Sequence, residues 1–406
     1  MSRHVIVGAG QAGLQVVEAL RRDGYEDEIV LVGAETWLPY QRPPLSKKFL
    51  QGETTAERLL FRPADFYAKQ RIETRLGVSA IALDTATKRL SLSDGSALDY
   101  DGLVLATGAR VRTLNMPGAE DPRVSYLRGL DDAARLKTQL EAASRVVILG
   151  AGFIGLEVAA IARKAGREVT VVEAQSRVLQ RVVAPTVSAF FEALHRSHGV
   201  DLLLNARLDG LEPGPDALRV RLADGTVLLA DLLLVGIGVE PEVGLAAAAG
   251  IRCEGGILVD EFTRTSAPGV LAAGDCTCHR NLLYPAPHRI ESVQNAVDQG
   301  KIAAASLLGQ AVPYQDLPWF WSDQYDVKLQ MVGLSQDHDA ARVRGDPVAG
   351  AFSVFYFKTG TLVGVDSINR PAEHMLARKL MQTGAVVPPD AAADPAFDLK
   401  TCLPPT

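Results

Sequence analysis

Cysteine is scarce in this chain: four residues in 406, at positions 253, 276, 278 and 402, with none in the first 252. So few and so scattered, they do not make a disulfide framework. The single residue between Cys276 and Cys278 does not give the C-x-x-C spacing of a redox dithiol either. Charge of one sign is also scant, because 42 Lys and Arg against 48 Asp and Glu leave a net −6. Nucleic-acid binding over a broad face needs a basic excess, so no such partner is expected. Long apolar runs are missing. The longest, at 146–162 and 228–239, hold Glu157 and Asp231 and are broken by glycines, so no membrane span of about 20 residues is expected. The first residues already read as a strand and a turn rather than as a signal peptide, and a cytoplasmic protein is the expectation. Seven histidines include His195 and His198, three apart, and His279 after two cysteines. They assemble no complete zinc-ligand spacing, so no metal is expected.

What the chain has in quantity is glycine at strand ends. Residues 4–7 form a short apolar run followed by Gly8-Ala9-Gly10-Gln11-Ala12-Gly13, a helical stretch to about Arg22 and a second run at 28–32. The design returns at 145–149, with Gly150-Ala151-Gly152-Phe153-Ile154-Gly155, a helix to about Ala165 and a run at 169–172. Continuous Val/Ile/Leu runs of this length fit parallel strands buried on both faces. Each copy is a β-α-β unit, so the fold is α/β and doubly wound. Behind each copy come a short strand, an Asp-Gly turn (Asp94-Gly95, Asp224-Gly225), another strand and a glycine turn. Those last turns are Ala106-Thr107-Gly108 and Gly236-Ile237-Gly238. Two related nucleotide domains follow, one inserted in the other: 1–112 with 241–317, and 113–240. From 318 a different texture, with strand patterns at 328–333, 352–357 and 361–365 and a helix at 371–382, predicts a small α+β domain to 406. At 47% hydrophobic residues, the chain can supply cores for all three.

A lone G-x-G-x-x-G says little, but both copies follow an apolar strand and open a helix, where the motif acquires meaning. The first glycine permits the turn, the second admits a pyrophosphate to the backbone, and the third lets helix and strand pack. The helix N-terminus then offers N–H groups and a positive dipole end. In the later copy Glu173 ends the second strand, where a carboxylate accepts ribose hydroxyls and repels a 2′-phosphate, favouring NADH. Arg177 nearby tempers that preference. In the earlier copy the strand ends at Gly33 and the nearest acid is Glu35. Asp275, after Ala273-Gly274, adds a carboxylate at the edge of the first domain, suited to a flavin's ribityl chain.

The fingerprints, the Ala106-Thr107-Gly108 turn and Ala273-Gly274-Asp275 resemble the glutathione-reductase-like flavoproteins. More specific are Tyr40-Gln41-Arg42-Pro43-Pro44-Leu45-Ser46-Lys47, the run Arg289-Ile290-Glu291-Ser292-Val293-Gln294-Asn295-Ala296, and Trp319-Phe320-Trp321-Ser322-Asp323-Gln324. These resemble the single-component ferredoxin reductases typified by putidaredoxin reductase, over essentially the whole chain. The disulfide reductases carry a cysteine pair where this chain has Pro43-Pro44-Leu45-Ser46-Lys47, so its electrons must leave the flavin by another route. The resemblance implies FAD and NADH as cofactors, and a [2Fe–2S] ferredoxin as partner, serving a cytochrome P450 or Rieske oxygenase. It implies an ion pair of Lys47 and Glu157 near the flavin N5; with Gly155 read as opening the helix, Glu157 is expected in its first turn. It further implies FAD contacts from Arg42, the backbone of Ala80, Arg128, the backbone of Val293 at the start of a helix at 292–308, and Trp321.

Acidic ferredoxins would dock on a local basic patch, for which Arg289, Lys301, Lys328, Arg370, Arg378 and Lys379 are candidates. Two other functions compete with this one. The acceptor is then rubredoxin or dioxygen, or the protein is a redox sensor whose contacts switch when NADH binds.

Overall fold

The computed structural model describes residues 2–281 and 284–405. It divides into two compact units. The first comprises residues up to Gln41, Ala56–Arg110 and Val239–Pro318; the second comprises Arg42–Thr55, Val111–Gly238 and the residues from Trp319 on.

In the first unit the apolar runs form a five-stranded parallel sheet. Its order is Val270–Ala272, Gly102–Leu105, Arg3–Val7, Glu28–Gly33 and Ile72–Leu76. Side chains alternate across a strand, and the cores divide accordingly. Ile6, Ile29, Leu31 and Val104 pack on one face against Leu14, Val16 and Leu20 of the Gln11–Arg22 helix and Ala303 and Ala304 of the Val293–Leu307 helix. Val5, Val7, Val30 and Val32 pack on the other face against Leu83, Leu90, Leu92 and Leu98 of a three-stranded antiparallel sheet. Ile6 and Leu31 are fully buried, each contributing on the order of 1.5–3 kcal/mol. This double burial explains why the strands read as unbroken hydrophobic runs.

The second unit repeats the plan, in the order Asp201–Leu203, Glu168–Val172, Arg145–Leu149, Leu232–Val235 and Val124–Ser125, all parallel. Its antiparallel cover is Leu208–Pro213, Leu218–Leu222 and Val227–Ala230. The same unit holds a five-stranded antiparallel sheet, ordered Trp319–Gln324, Val327–Gly333, Thr361–Ile368, Ala351–Lys358 and Ala340–Asp346, and the Pro371–Gln382 helix.

The structure adds strands that the patterns did not mark. After each Asp-Gly turn the chain first completes a hairpin, at Ala97–Asp99 and Val227–Ala230, before entering the parallel sheet. Trp319–Gln324 and Ala340–Asp346 lie at the two sheet edges. The latter, Ala-Ala-Arg-Val-Arg-Gly-Asp, has weak β propensity, and pairing with Ala351–Lys358 decides its state.

Candidate active site

Each fingerprint folds as a strand, a glycine turn and a helix. A Cβ on Gly13 would lie 1.9 Å from the Gly8 carbonyl oxygen, and one on Gly155 would lie 2.1 Å from that of Gly150. Only glycine lets helix and strand approach so closely. Gly10 and Gly152 are different: a Cβ there would meet nothing within 4 Å. Both are the N-caps of their helices, and neither helix start is closed by a side-chain cap. Space and uncapped first-turn N–H groups therefore coincide at Gln11 and Ala12, and again at Phe153 and Ile154, which is what a pyrophosphate requires. The residues present fit a dinucleotide in each unit.

Around the first cradle, Ala106 N–H donates to the Val7 carbonyl (2.7 Å), and Thr107 Oγ1 donates to the Glu242 carbonyl (2.6 Å). Gly108 carbonyl in turn accepts from Glu242 N–H. Glu35 sits in the loop beyond Gly33, where its Oε2 accepts from Tyr40 Oη (2.6 Å). The Gly274-Asp275 turn is braced from behind, a feature the sequence reading missed. Gln299 Oε1 accepts from Gly274 N–H (2.8 Å) and Thr277 Oγ1 (2.9 Å), while its amide nitrogen lies 3.1 Å from His279 Nδ1. Burial pushes His279 down to about 4. Ser292 caps the Val293–Leu307 helix through Asn295 N–H. Ala80 opens the Ala80–Asp84 strand.

In the second unit, Glu173 Oε2 accepts from Ala151 N–H (2.7 Å) and Oε1 from Gln175 N–H (2.8 Å). The carboxylate is thereby fixed against the glycine loop, with further lone pairs for ribose hydroxyls. Arg177, the cation that tempered the NADH preference, spends its N–H groups on Val183 carbonyl, Ser188 Oγ and Gln180 carbonyl. Gly236 N–H donates to Leu149 carbonyl, and Gly238 carbonyl accepts from Arg112 N–H. Ile154, in the first turn of the Phe153–Lys164 helix, and Ile237, in the glycine turn, are 40% and 37% exposed.

Lys47 and Glu157 are brought together, with Nζ 2.8 Å from Oε2. Glu157 is 4% exposed and Lys47 19%. The helix begins at Phe153, so Glu157 stands in its second turn and not in the first, because Gly152 and not Gly155 caps it. A favourable helix dipole therefore does not explain the buried acid. Its partners do: Ser46 Oγ donates to Oε2 (2.5 Å) and Ser322 Oγ to Oε1 (2.6 Å). Neither serine was singled out from the sequence, although both sit inside segments it flagged. Arg42 Nη1 donates to the Arg128 carbonyl (2.9 Å), and Trp321 is half-buried with its ring 5.5 Å from that of Trp319. Four residues that the resemblance assigns to FAD (Arg42, Lys47, Arg128 and Trp321) thus belong to the second unit.

All four cysteines are free, and Cys276 and Cys278 are buried, with burial pushing both thiols up. A free thiol is already reduced, and one held neutral in this way is also a poor nucleophile.

Comparison with known proteins places the chain in a family. Residues 2–300 match the pyridine nucleotide-disulphide oxidoreductase family and residues 319–403 the reductase C-terminal family. The chain is 44% identical to rhodocoxin reductase of Rhodococcus erythropolis over 98% of its own length and 94% of that protein's. It superposes with a TM-score of 0.96 on the ferredoxin reductase for the CYP199A2 system of Rhodopseudomonas palustris, at 43% identity, with both chains covered in full. The reductase of the covalent putidaredoxin reductase–putidaredoxin complex matches at a TM-score of 0.95 and 44% identity, covering 99% of this chain and 98% of that one. The chain belongs to the putidaredoxin reductase-like ferredoxin reductases. It is an oxidoreductase of FAD and NAD(H), in a family that moves electrons from NAD(P)H to ferredoxins of oxygenase systems. Among the described residues of the reductase, no helix is long and apolar enough to cross a membrane.

Proposed function

We propose that this cytoplasmic reductase draws electrons from NADH and passes them singly to a [2Fe–2S] ferredoxin serving a cytochrome P450 or Rieske-type oxygenase. The observation that carries the reading is the fate of the segment from Pro43 to Lys47. Where disulfide reductases hold their cysteine pair, this chain supplies Ser46 and Lys47, both bound to Glu157. No disulfide can form there to take the electrons, so a separate acceptor must.

Bound FAD supplies the conversion of an electron pair from NADH into single-electron release. The chain's residues have definable tasks. The uncapped helix starts at Gln11 and Phe153 hold the two pyrophosphates, Glu173 takes the NADH ribose hydroxyls, and Lys47 with Glu157 orients the nicotinamide, where alignment governs the rate. The roles toward FAD given by resemblance to Arg42, Ala80, Arg128, Asp275, Val293 and Trp321 form part of the same proposal, as does the three-domain division at 112, 240 and 317.

For docking, Arg289, Lys301 and Arg370 are engaged by Glu291, Asp298 and Glu373. Lys328 and Lys379 are exposed, and Arg378 lies over the Trp319 ring at 5.1 Å. Met375, 58% exposed, shares a helix face with Arg378 and Lys379 at i, i+3 and i+4, and we infer that these residues together with Lys328 receive an acidic ferredoxin.

The test is NADH-driven cytochrome c reduction with and without [2Fe–2S] ferredoxins. A strong dependence on ferredoxin is expected. Fast NADH consumption without it makes dioxygen or another acceptor the answer, and flavin reduction without turnover makes the protein a sensor; either overturns the proposal.

A further inference from the structure

Behind Glu157 a line of buried side chains runs away from the nucleotide loops. Ser322 Oγ, which donates to Glu157 Oε1, lies 3.2 Å from Gln324 Nε2. Gln324 Oε1 in turn lies 2.9 Å from His195 Nε2, on the Pro185–Ser197 helix. Ser322 and Gln324 are two apart on the Trp319–Gln324 strand and so face one side of it, both buried, while the half-buried Trp321 and Asp323 alternate with them.

Donor accounting gives the line a single direction. The Glu157 carboxylate only accepts, so Ser322 must spend its one proton on it. Ser322 then accepts from the Gln324 amide nitrogen, which turns Gln324 Oε1 toward His195. His195 must therefore carry its proton on Nε2. Its Nδ1 is left bare, and that atom is buried with no hydrogen-bond partner among the described residues. The imidazole has no exposed surface, and burial pushes it down to about 4, so it is neutral at working pH. A buried acceptor without a partner is costly. An apolar ring at 195 would avoid that cost, but it would leave Gln324 free to turn.

We propose that His195, Gln324 and Ser322 are a positioning relay that fixes the Glu157 carboxylate, and through it Lys47, for the reaction with NADH. The inference rests on the nicotinamide-orienting role of Glu157 proposed above. The three residues are positioning groups: none needs to touch substrate, and each holds the next in a single orientation. The relay joins one helix, one strand of the C-terminal sheet and the helix of the NADH fingerprint through side chains alone. A small rotation of Gln324 would therefore be felt at Glu157.

The test uses the holoprotein and two readouts. Nitrogen-15 spectra of labelled histidines should show His195 neutral with its proton on Nε2, and Gln324→Met should shift that resonance. In single-turnover mixing with NADH, Ser322→Ala, Gln324→Met and His195→Phe should keep their FAD and their NADH affinity. Their limiting rate of flavin reduction should fall about tenfold, the scale of one charge-assisted hydrogen bond. His195→Gln places an amide nitrogen where Nε2 was and should recover most of the rate. An Nδ1-protonated wild-type His195 would overturn the relay whatever the variants do. So would unchanged rates in the three breaking variants where Glu157→Gln is slow. Full speed in Glu157→Gln would instead remove the role of Glu157 itself.

Discussion

Glu173 reaches the glycine loop through Ala151 N–H and the following turn through Gln175 N–H, so it is aimed before any ribose arrives. Two hydrogen bonds from ribose hydroxyls to a charged acceptor are worth enough that Glu173→Ala should weaken NADH binding between about ten- and a hundredfold. NADPH binding should change little, because the variant also removes the charge that repels a 2′-phosphate; titration of each nucleotide by flavin or protein fluorescence measures both. Asp366 is buried, raised to about 7 chiefly by desolvation, and accepts from Tyr356 Oη at 2.5 Å. The folded state keeps this proton where the unfolded chain, with an ordinary aspartate near 3.9, has lost it. The contribution of Asp366 to stability is therefore full below about pH 4 and declines as pH rises toward 7, by a few kcal/mol in all. Asp366→Asn keeps an acceptor for Tyr356 and removes the charge, so its Tm advantage over the wild type should be small at pH 5 and large at pH 8. An advantage that does not grow with pH would show that Asp366 titrates normally. At this scale the sequence was partly legible. Lys47 and Glu157 stand out by resemblance, but Ser322, Gln324 and His195 come from distant segments and join only when strand and helix pack.

Within each glycine turn the glycines divide the work. Gly152 and Gly155 belong to one motif and do opposite things: the first faces open space and the second faces the Gly150 carbonyl. Gly152→Ala should fold with nearly unchanged Tm, yet weaken NADH binding at least tenfold, because the new methyl occupies the approach of the pyrophosphate. Gly155→Ala should lower Tm by several degrees, since helix and strand must separate. Equal effects on Tm would contradict the division of labour. The parallel strands could be read because burial on both faces writes unbroken Val/Ile/Leu runs, as in Leu232–Val235. Ala340–Asp346 could not, since an edge strand of alanine, arginine and glycine takes its conformation from its neighbour.

Across the whole molecule, the two units repeat one design, and what distinguishes them is chemical. One holds Asp275 behind a buried amide network; the other holds Glu173 and the Lys47–Glu157 pair. Repetition was visible in the sequence because both copies keep the same spacing from strand to Asp-Gly turn to strand. Less visible was that residues 42–55 pack with the second unit, as a short segment with no sheet pairing of its own carries no periodic signal. If the face containing Lys328 and Lys379 receives the ferredoxin, reversing both charges should slow association about tenfold at low ionic strength and much less at 0.5 M salt. Association rates from stopped-flow mixing at the two salt concentrations measure it. The most direct test of electron delivery is anaerobic double mixing: the FAD-loaded reductase is first reduced with one equivalent of NADH, then mixed with excess oxidised [2Fe–2S] ferredoxin. Two ferredoxins reduced per NADH, at a rate matching turnover, is the predicted result; flavin that stays reduced in the presence of ferredoxin would contradict it.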